Sequence, residues 1–526
     1  MKTITKLLVL LLAVVMLVPC LAACGGDGNT DTTVDNGGAN NPGGEETTTG
    51  NDGPVMPPVL QLTDGNGGQY VYKVHKASNA AEGFVSADDS NQAFYCEDFW
   101  VAETSEDALS FAVYTRNQTI QETYNIRIAM VPQVGNMFKE LNTFYTNGEK
   151  HDATIIKTIS AGAAATGNLL QDVNTLDYVD LEHPAFDQNS VKQFSMGGKL
   201  YYLSGDMNIS SMDNFAPTIV NMQMYNNLAE TIVETFNDEE IYADIYELVT
   251  EKMWTMDTML TIAELCNVDV NKADGALDVT KGDTVGYFQY SASPLYYFFG
   301  AGGRISEIDE DGYPELVIAE DRNVEIYEYI LRNFNTVSNS WIPNGNSGPR
   351  KTNFFGGGTL FTDMTLWDVR KQLYSSAQFE YGILPSPLFE DGDDYACAIY
   401  FQACHHVWAI PSMCTDAKNA GLLLQVFAVY SSLKDSTMDA YYTKTMYLTV
   451  AGDKGSREVM DIIKSSLSYD IAGLYNWGQF QDTILAADTA PSNQLTSKIN
   501  NMDVAEEAMQ LTLEKFKNPQ YVPNED

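Results

Sequence analysis

The stretch from Phe354 to Pro411 constrains this chain most. It reads Phe354-Phe355-Gly356-Gly357-Gly358-Thr359-Leu360-Phe361, then Trp367-Asp368-Val369-Arg370, then Tyr381-Gly382-Ile383-Leu384-Pro385-Ser386-Pro387, then Val407-Trp408-Ala409-Ile410-Pro411. Glycines mark a turn before the run at Thr359, and prolines close the runs that end at Leu384 and Ile410. The remaining chain has to be compatible with this order.

With 526 residues, 44% of them hydrophobic, the chain can build two sizeable cores and is not disordered over most of its length. Its formal charge of -41 argues against nucleic acid or anionic lipid as a partner, because both would repel it at long range. The acidity fits solubility outside the cell and is compatible with an uncharged solute.

The amino terminus carries a targeting pattern. Lys2 and Lys6 precede an apolar run from Leu7 to Val18, followed by Leu21-Ala22-Ala23-Cys24 and Gly25. This is the form of a bacterial lipoprotein signal, too short for a membrane span, which needs about 20 apolar residues. The expectation is a signal over 1–23 and a lipid on Cys24, holding the mature protein at the outer face of the cytoplasmic membrane. An ordinary secretory signal is the alternative. From Gly25 to about Pro58 the chain is rich in Gly, Asn, Asp, Thr and Pro with almost nothing apolar, so 24–65 is expected to be a flexible tether.

Beyond the signal and Cys24, five cysteines remain: Cys96, Cys266, Cys397, Cys404 and Cys414. An odd number at scattered spacing points to buried thiols rather than a disulfide framework. Cys404-His405-His406 invites a metal reading, but adjacent strand residues point to opposite faces and cannot converge on one ion. No metal or cofactor is expected. Gly356-Gly357-Gly358 lacks the Lys and Ser or Thr of a phosphate-cradling loop, so the chain is not expected to hydrolyse nucleotide itself.

Along the chain, Ser105 can cap a helix carrying Leu109, Ala112, Val113 and Ile120, followed by a strand over Tyr124 to Met130 and another over Asp152 to Ile156. Thr255 can cap a helix with Met256, Met259, Leu260 and Ala263 on one face, and Asp416 one burying Leu423, Val426, Phe427 and Tyr430. Asp309-Glu310-Asp311-Gly312 reads as an exposed turn. The last helix aligns Ala505, Met509, Leu513 and Phe516, a stripe expected to dock on the second half of the molecule.

Several of these segments resemble extracellular solute-binding protein family 1, the maltose-binding-protein-like lipoproteins of ABC importers. The resemblance rests on the Phe354–Pro411 order, on Arg116-Asn117 with Tyr124-Asn125-Ile126, on Pro184-Ala185-Phe186-Asp187 followed by Gly198-Lys199-Leu200-Tyr201-Tyr202-Leu203-Ser204-Gly205-Asp206, and on Tyr246-Glu247-Leu248-Val249 with Trp254-Thr255. Ala185 departs from the pattern, which often has an aromatic there, and this weakens Phe186 as a stacking residue.

The resemblance implies an α/β fold of the two-lobe periplasmic-binding-protein type II class, each lobe a mixed sheet flanked by helices, with a ligand cleft between the lobes. Lobe I would comprise 66–210 and 409–470, lobe II 215–400 and 475–526. It implies capture of a carbohydrate, an oligosaccharide by preference, through hinge closure and delivery to an ABC permease by a monomer. A saccharide cleft needs flat aromatic faces and carboxylates or amides. By family position the ligand-binding candidates are Trp367, Tyr290, Tyr297, Trp477 and Asp206, with Tyr475 and Glu182 behind them; catalytic residues are not expected. The competing readings are a secreted carbohydrate-active enzyme and a surface lipoprotein that senses or adheres. With 71 acidic residues, a carboxylate pair at any chosen spacing carries no information.

Overall fold

The computed structural model describes residues 55–76, 98–101, 107–132, 136–270, 277–335, 347–399, 405–446, 454–487 and 493–517. The amino-terminal signal, Cys24, Cys96, Ser105 and Cys404 lie outside them. Among the described residues no helix is long and apolar enough to cross a membrane.

Two four-stranded mixed sheets organise the molecule. In the first, Tyr70–Lys76 runs parallel to Ile126–Pro132 on one side and to Ala153–Lys157 on the other, and His406–Ala409 joins antiparallel at the edge of Ala153–Lys157. In the second, Val285–Phe288 is parallel to Thr359–Asp363, Thr359–Asp363 antiparallel to Thr218–Asn221, and Thr218–Asn221 antiparallel to Tyr381–Leu384. The chain therefore builds three strands of the first sheet, leaves it to make all four of the second, and returns with His406–Ala409. This is the two-lobe α/β class expected.

Local chemistry explains the main elements. Asp107 caps the Ala108–Tyr124 helix by accepting from the Ser110 N–H, and Asn125 ends it in the left-handed region, φ 53°, before the strand begins at Ile126. Thr255 and Asp416 cap the Met256–Leu265 and Ala417–Ser432 helices as expected. In the latter helix Phe427 stacks on Tyr72 of the first sheet, centroids 5.7 Å apart, and meets Trp408 at 5.3 Å. Gly286 lies so close to the Met256–Leu265 helix that a Cβ there would meet the Ala263 carbonyl, which lets the second sheet pack directly on that helix.

Some expectations need correction. The end of the supposed tether is attached, since Leu62 is buried and its N–H donates to Tyr124 O at 3.0 Å. The terminal Met502–Lys517 helix buries its expected stripe, and Phe516 meets Tyr201 edge-on at 5.0 Å and Tyr475 at 6.1 Å, one residue from each expected lobe. Cys266, Cys397 and Cys414 are free and buried.

Buried polar ties join segments that are far apart in the chain. The side chains of Arg370 and Asp213 are 4% and 2% exposed, Arg370 Nε lies 3.0 Å from Asp213 Oδ1, and the Tyr441 hydroxyl donates to that oxygen at 2.9 Å. Asp470 caps the Ile471–Tyr475 helix and also accepts from Ile305 N, Ser306 N and the Ser306 hydroxyl.

Candidate functional site

A cavity of about 360 Å³ opens where the segments 184–189 and 205–212 face Met438, Tyr442 and the end of the Lys454–Ser465 helix. Its floor is a close backbone crossing. Gly205 pairs with Phe186 in an antiparallel bridge, and a Cβ on Gly205 would stand 2.5 Å from Ala185 O, so a glycine is required. The Asp206 N–H then donates to Ala185 O at 2.8 Å, which sets the Asp206 side chain at the cavity wall.

Asp187 is held from the opposite side. It caps the Gln188–Phe194 helix through the N–H groups of Asn189 and Ser190, and receives the Tyr469 hydroxyl at 2.5 Å. Lys464 stands across from both acids, 3.3 Å from Asp206 Oδ1 and 5.2 Å above the Tyr442 ring. Burial raises the Asp187 and Asp206 carboxyls above the ordinary value of 3.8, outweighing the Tyr469 hydrogen bond at the first and Lys464 at the second. Asn208 is 2% exposed and donates to His406 O at 3.4 Å. Phe186, Met212, Met438 and Leu467 supply apolar surface. A second cavity of about 570 Å³ shares Asn189, Ser465 and Leu467 with the first and continues past Arg304.

Of the residues expected to bind ligand, Asp206 alone lines the 360 Å³ cavity. Tyr297 is 1% exposed and its hydroxyl donates to Asp363 at 2.8 Å, inside a buried network. Trp477 is 2% exposed, donates to the Thr512 hydroxyl at 3.0 Å and stacks on Tyr475 with centroids 5.5 Å apart, while Tyr475 shares a hydrogen bond with Tyr202. Tyr290 is half-buried beneath the Arg350 guanidinium, 4.8 Å from its ring centroid. Trp367 is half-buried in the short Leu366–Asp368 helix capped by Thr365, and Glu182 is exposed.

Asp187, Asn208, Tyr442, Asp461 and Lys464 were not foreseen as site residues. The Pro184–Asp187 and Gly198–Asp206 segments were the one sequence signal near them. Lys464 and Tyr442 reach the cavity from helical segments that look ordinary in sequence.

The metal reading finds no geometry. Among the described residues no group of three or more His, Cys, Asp or Glu side chains is placed to hold an ion. His405 is bonded to the Thr158 hydroxyl, and burial pushes its imidazole down to about 3, so it stays neutral.

No family model matches the sequence, and no curated protein matches it. Solved structures do. A cyclo/maltodextrin-binding protein complexed with maltotetraose aligns with a TM-score of 0.50 at 13% identity, over 85% of this chain and 96% of that one. An extracellular solute-binding protein from Staphylococcus aureus in complex with maltose aligns with a TM-score of 0.50 at 12% identity, over 85% of this chain and 98% of that one. At such identities the likeness is one of fold, and the chain accordingly has the two-lobe, mixed α/β architecture of these solute-binding proteins.

Proposed function

We propose that this chain is the extracellular, lipid-anchored substrate-binding protein of an ABC importer, capturing a saccharide without chemical turnover and passing it to a permease. The single observation that carries the reading is a recess walled by Asp206, at the point where the chain leaves the first lobe, in a fold shared with two proteins solved with maltotetraose and maltose. Carboxylates and amides there suit sugar hydroxyls, and the half-buried Tyr442 offers a flat face to a ring. The adjoining 570 Å³ cavity favours an oligosaccharide over a single sugar. Closure of the two lobes over the guest would give the permease a state to distinguish.

The aromatic roles expected for Trp367, Tyr290, Tyr297, Trp477 and Tyr475, and the polar role of Glu182, belong to the same proposal. Trp367→Ala should weaken saccharide binding strongly and leave thermal stability nearly unchanged. Equal loss of both would return Trp367 to the core.

The direct test is a thermal-shift screen of the mature protein against mono- and oligosaccharides, since a ligand bound only by the native state raises the melting temperature. At least one saccharide should shift it by several degrees and be recovered intact. Cleavage products would replace the binding role by an enzymatic one, and a flat response to every sugar would end the carbohydrate reading.

A further inference from the structure

Three carboxylates, Asp187, Asp206 and Asp461, line the 360 Å³ cavity against one cation, Lys464, a formal balance of three negative charges to one positive. They converge. Burial first, and then the charges of Asp206, Asp461 and Asp187, raise the Tyr442 hydroxyl above its ordinary value. An independent feature points the same way. Asn208 lines this cavity at 2% exposure, and its Oδ1 has no hydrogen-bond donor among the described residues. A buried carbonyl oxygen left without a donor marks a position where a ligand N–H or O–H would be held.

The surroundings of Lys464 show which ligand group fits. Its ammonium lies beside a carboxylate and over an aromatic ring, a setting that favours a compact cation over a neutral hydroxyl. The Lys464 side chain is 43% exposed, and its long stem lets the ammonium withdraw to water without disturbing the helix.

Resting on the saccharide reading above, we propose that the cavity accepts an amino sugar with a free, protonated amine, whose ammonium displaces that of Lys464 from Asp206 and donates to Asn208 Oδ1. The chain's own lysine then occupies the position until the ligand arrives. The Tyr442 face takes the apolar side of the ring.

Calorimetric titration of the mature protein with four probes tests this: a β-1,4-linked glucosamine tetramer, its fully N-acetylated counterpart, maltotetraose, and spermidine. The glucosamine tetramer should bind about tenfold or more tighter than either neutral tetramer. Asp206→Asn should weaken it by about tenfold, and Lys464→Met, by removing the competing ammonium, should strengthen it several-fold. Neutral tetramers binding as tightly as the amine, or Lys464→Met weakening the amine, would overturn the ammonium site and leave the saccharide reading standing. Binding of spermidine alone would support the ammonium site and remove the sugar. Silence from all four would overturn both.

Discussion

Two buried carboxylates show how differently one side chain can be used here. Asp363 ends a strand of the second sheet and accepts from the hydroxyls of Thr218, Tyr287, Ser293 and Tyr297 at 2.5 to 2.8 Å, with no exposed surface. Asp206 sits at a cavity wall with one mobile partner, Lys464, and a side chain 14% exposed. The first is satisfied from within and its four partners are fixed by the fold. The second retains acceptor capacity that a ligand can take up. Burial alone therefore does not mark a binding carboxylate; incomplete internal satisfaction does.

The largest effect should come from breaking the closed network. Asp363→Ala leaves four buried hydroxyls without their acceptor and should cost about 4 kcal/mol, read from chemical denaturation. A loss under about 1 kcal/mol would mean that these groups re-pair easily, and the contrast with Asp206 would fail.

Next comes the buried tie between Arg370 and Asp213. Arg370→Met strands the nearly inaccessible Asp213 with, among the described residues, only the Tyr441 hydroxyl and should cost about 3 kcal/mol, again by denaturation. No measurable change would show that water reaches Asp213 once the guanidinium is gone.

A finer comparison is Tyr297→Phe beside Asp206→Asn. The tyrosine change removes one of the four donors to Asp363 and should lower stability by about 1 kcal/mol while saccharide affinity holds. The aspartate change should do the reverse. If Tyr297→Phe weakens binding at constant stability, its family-implied ligand role is restored and the network is not its main task.

The smallest effect is one of pH. Burial raises the carboxyls of Asp187, Asp206 and Asp363 above 3.8, so each binds its proton more readily in the folded than in the unfolded chain. Their contribution to stability is complete below about pH 4 and is lost as pH rises through the raised values. Asp64, Asp278 and Asp394 are shifted the other way, so their contribution is complete above about pH 4 and is lost only as pH falls below it. Lowering the pH from 7 toward about 4 should therefore raise the melting temperature of the ligand-free protein slightly. Asp206→Asn should flatten that slope, and an unchanged slope would show that Asp206 carries no part of it.

Much of the fold was legible because its signals are local. Thr255 and Asp416 each cap a helix by bonding an N–H three residues ahead, a reach that sequence spacing reports directly. The terminal stripe Ala505, Met509, Leu513 and Phe516 is buried as its period requires, yet its partners, Tyr201 and Tyr475, are remote in the chain and were not foreseen. The site was less legible for the same reason. A tyrosine at a strand or helix end can face a cleft or a carboxylate with the same local pattern, and Tyr297 faces Asp363.

By itself, then, the sequence determined several elements and the Thr255 and Asp416 caps, because periodicity and hydrogen-bond reach act over a few residues, while the two-lobe order and Asp206 came from the family resemblance. Only the tertiary structure decided that Asp187, Asn208, Tyr442, Asp461 and Lys464 share one cavity, while Tyr297 and Trp477 are enclosed in packing. That division follows from the physics of burial: whether a polar group is satisfied depends on partners brought together from distant parts of the chain, and no local pattern encodes them.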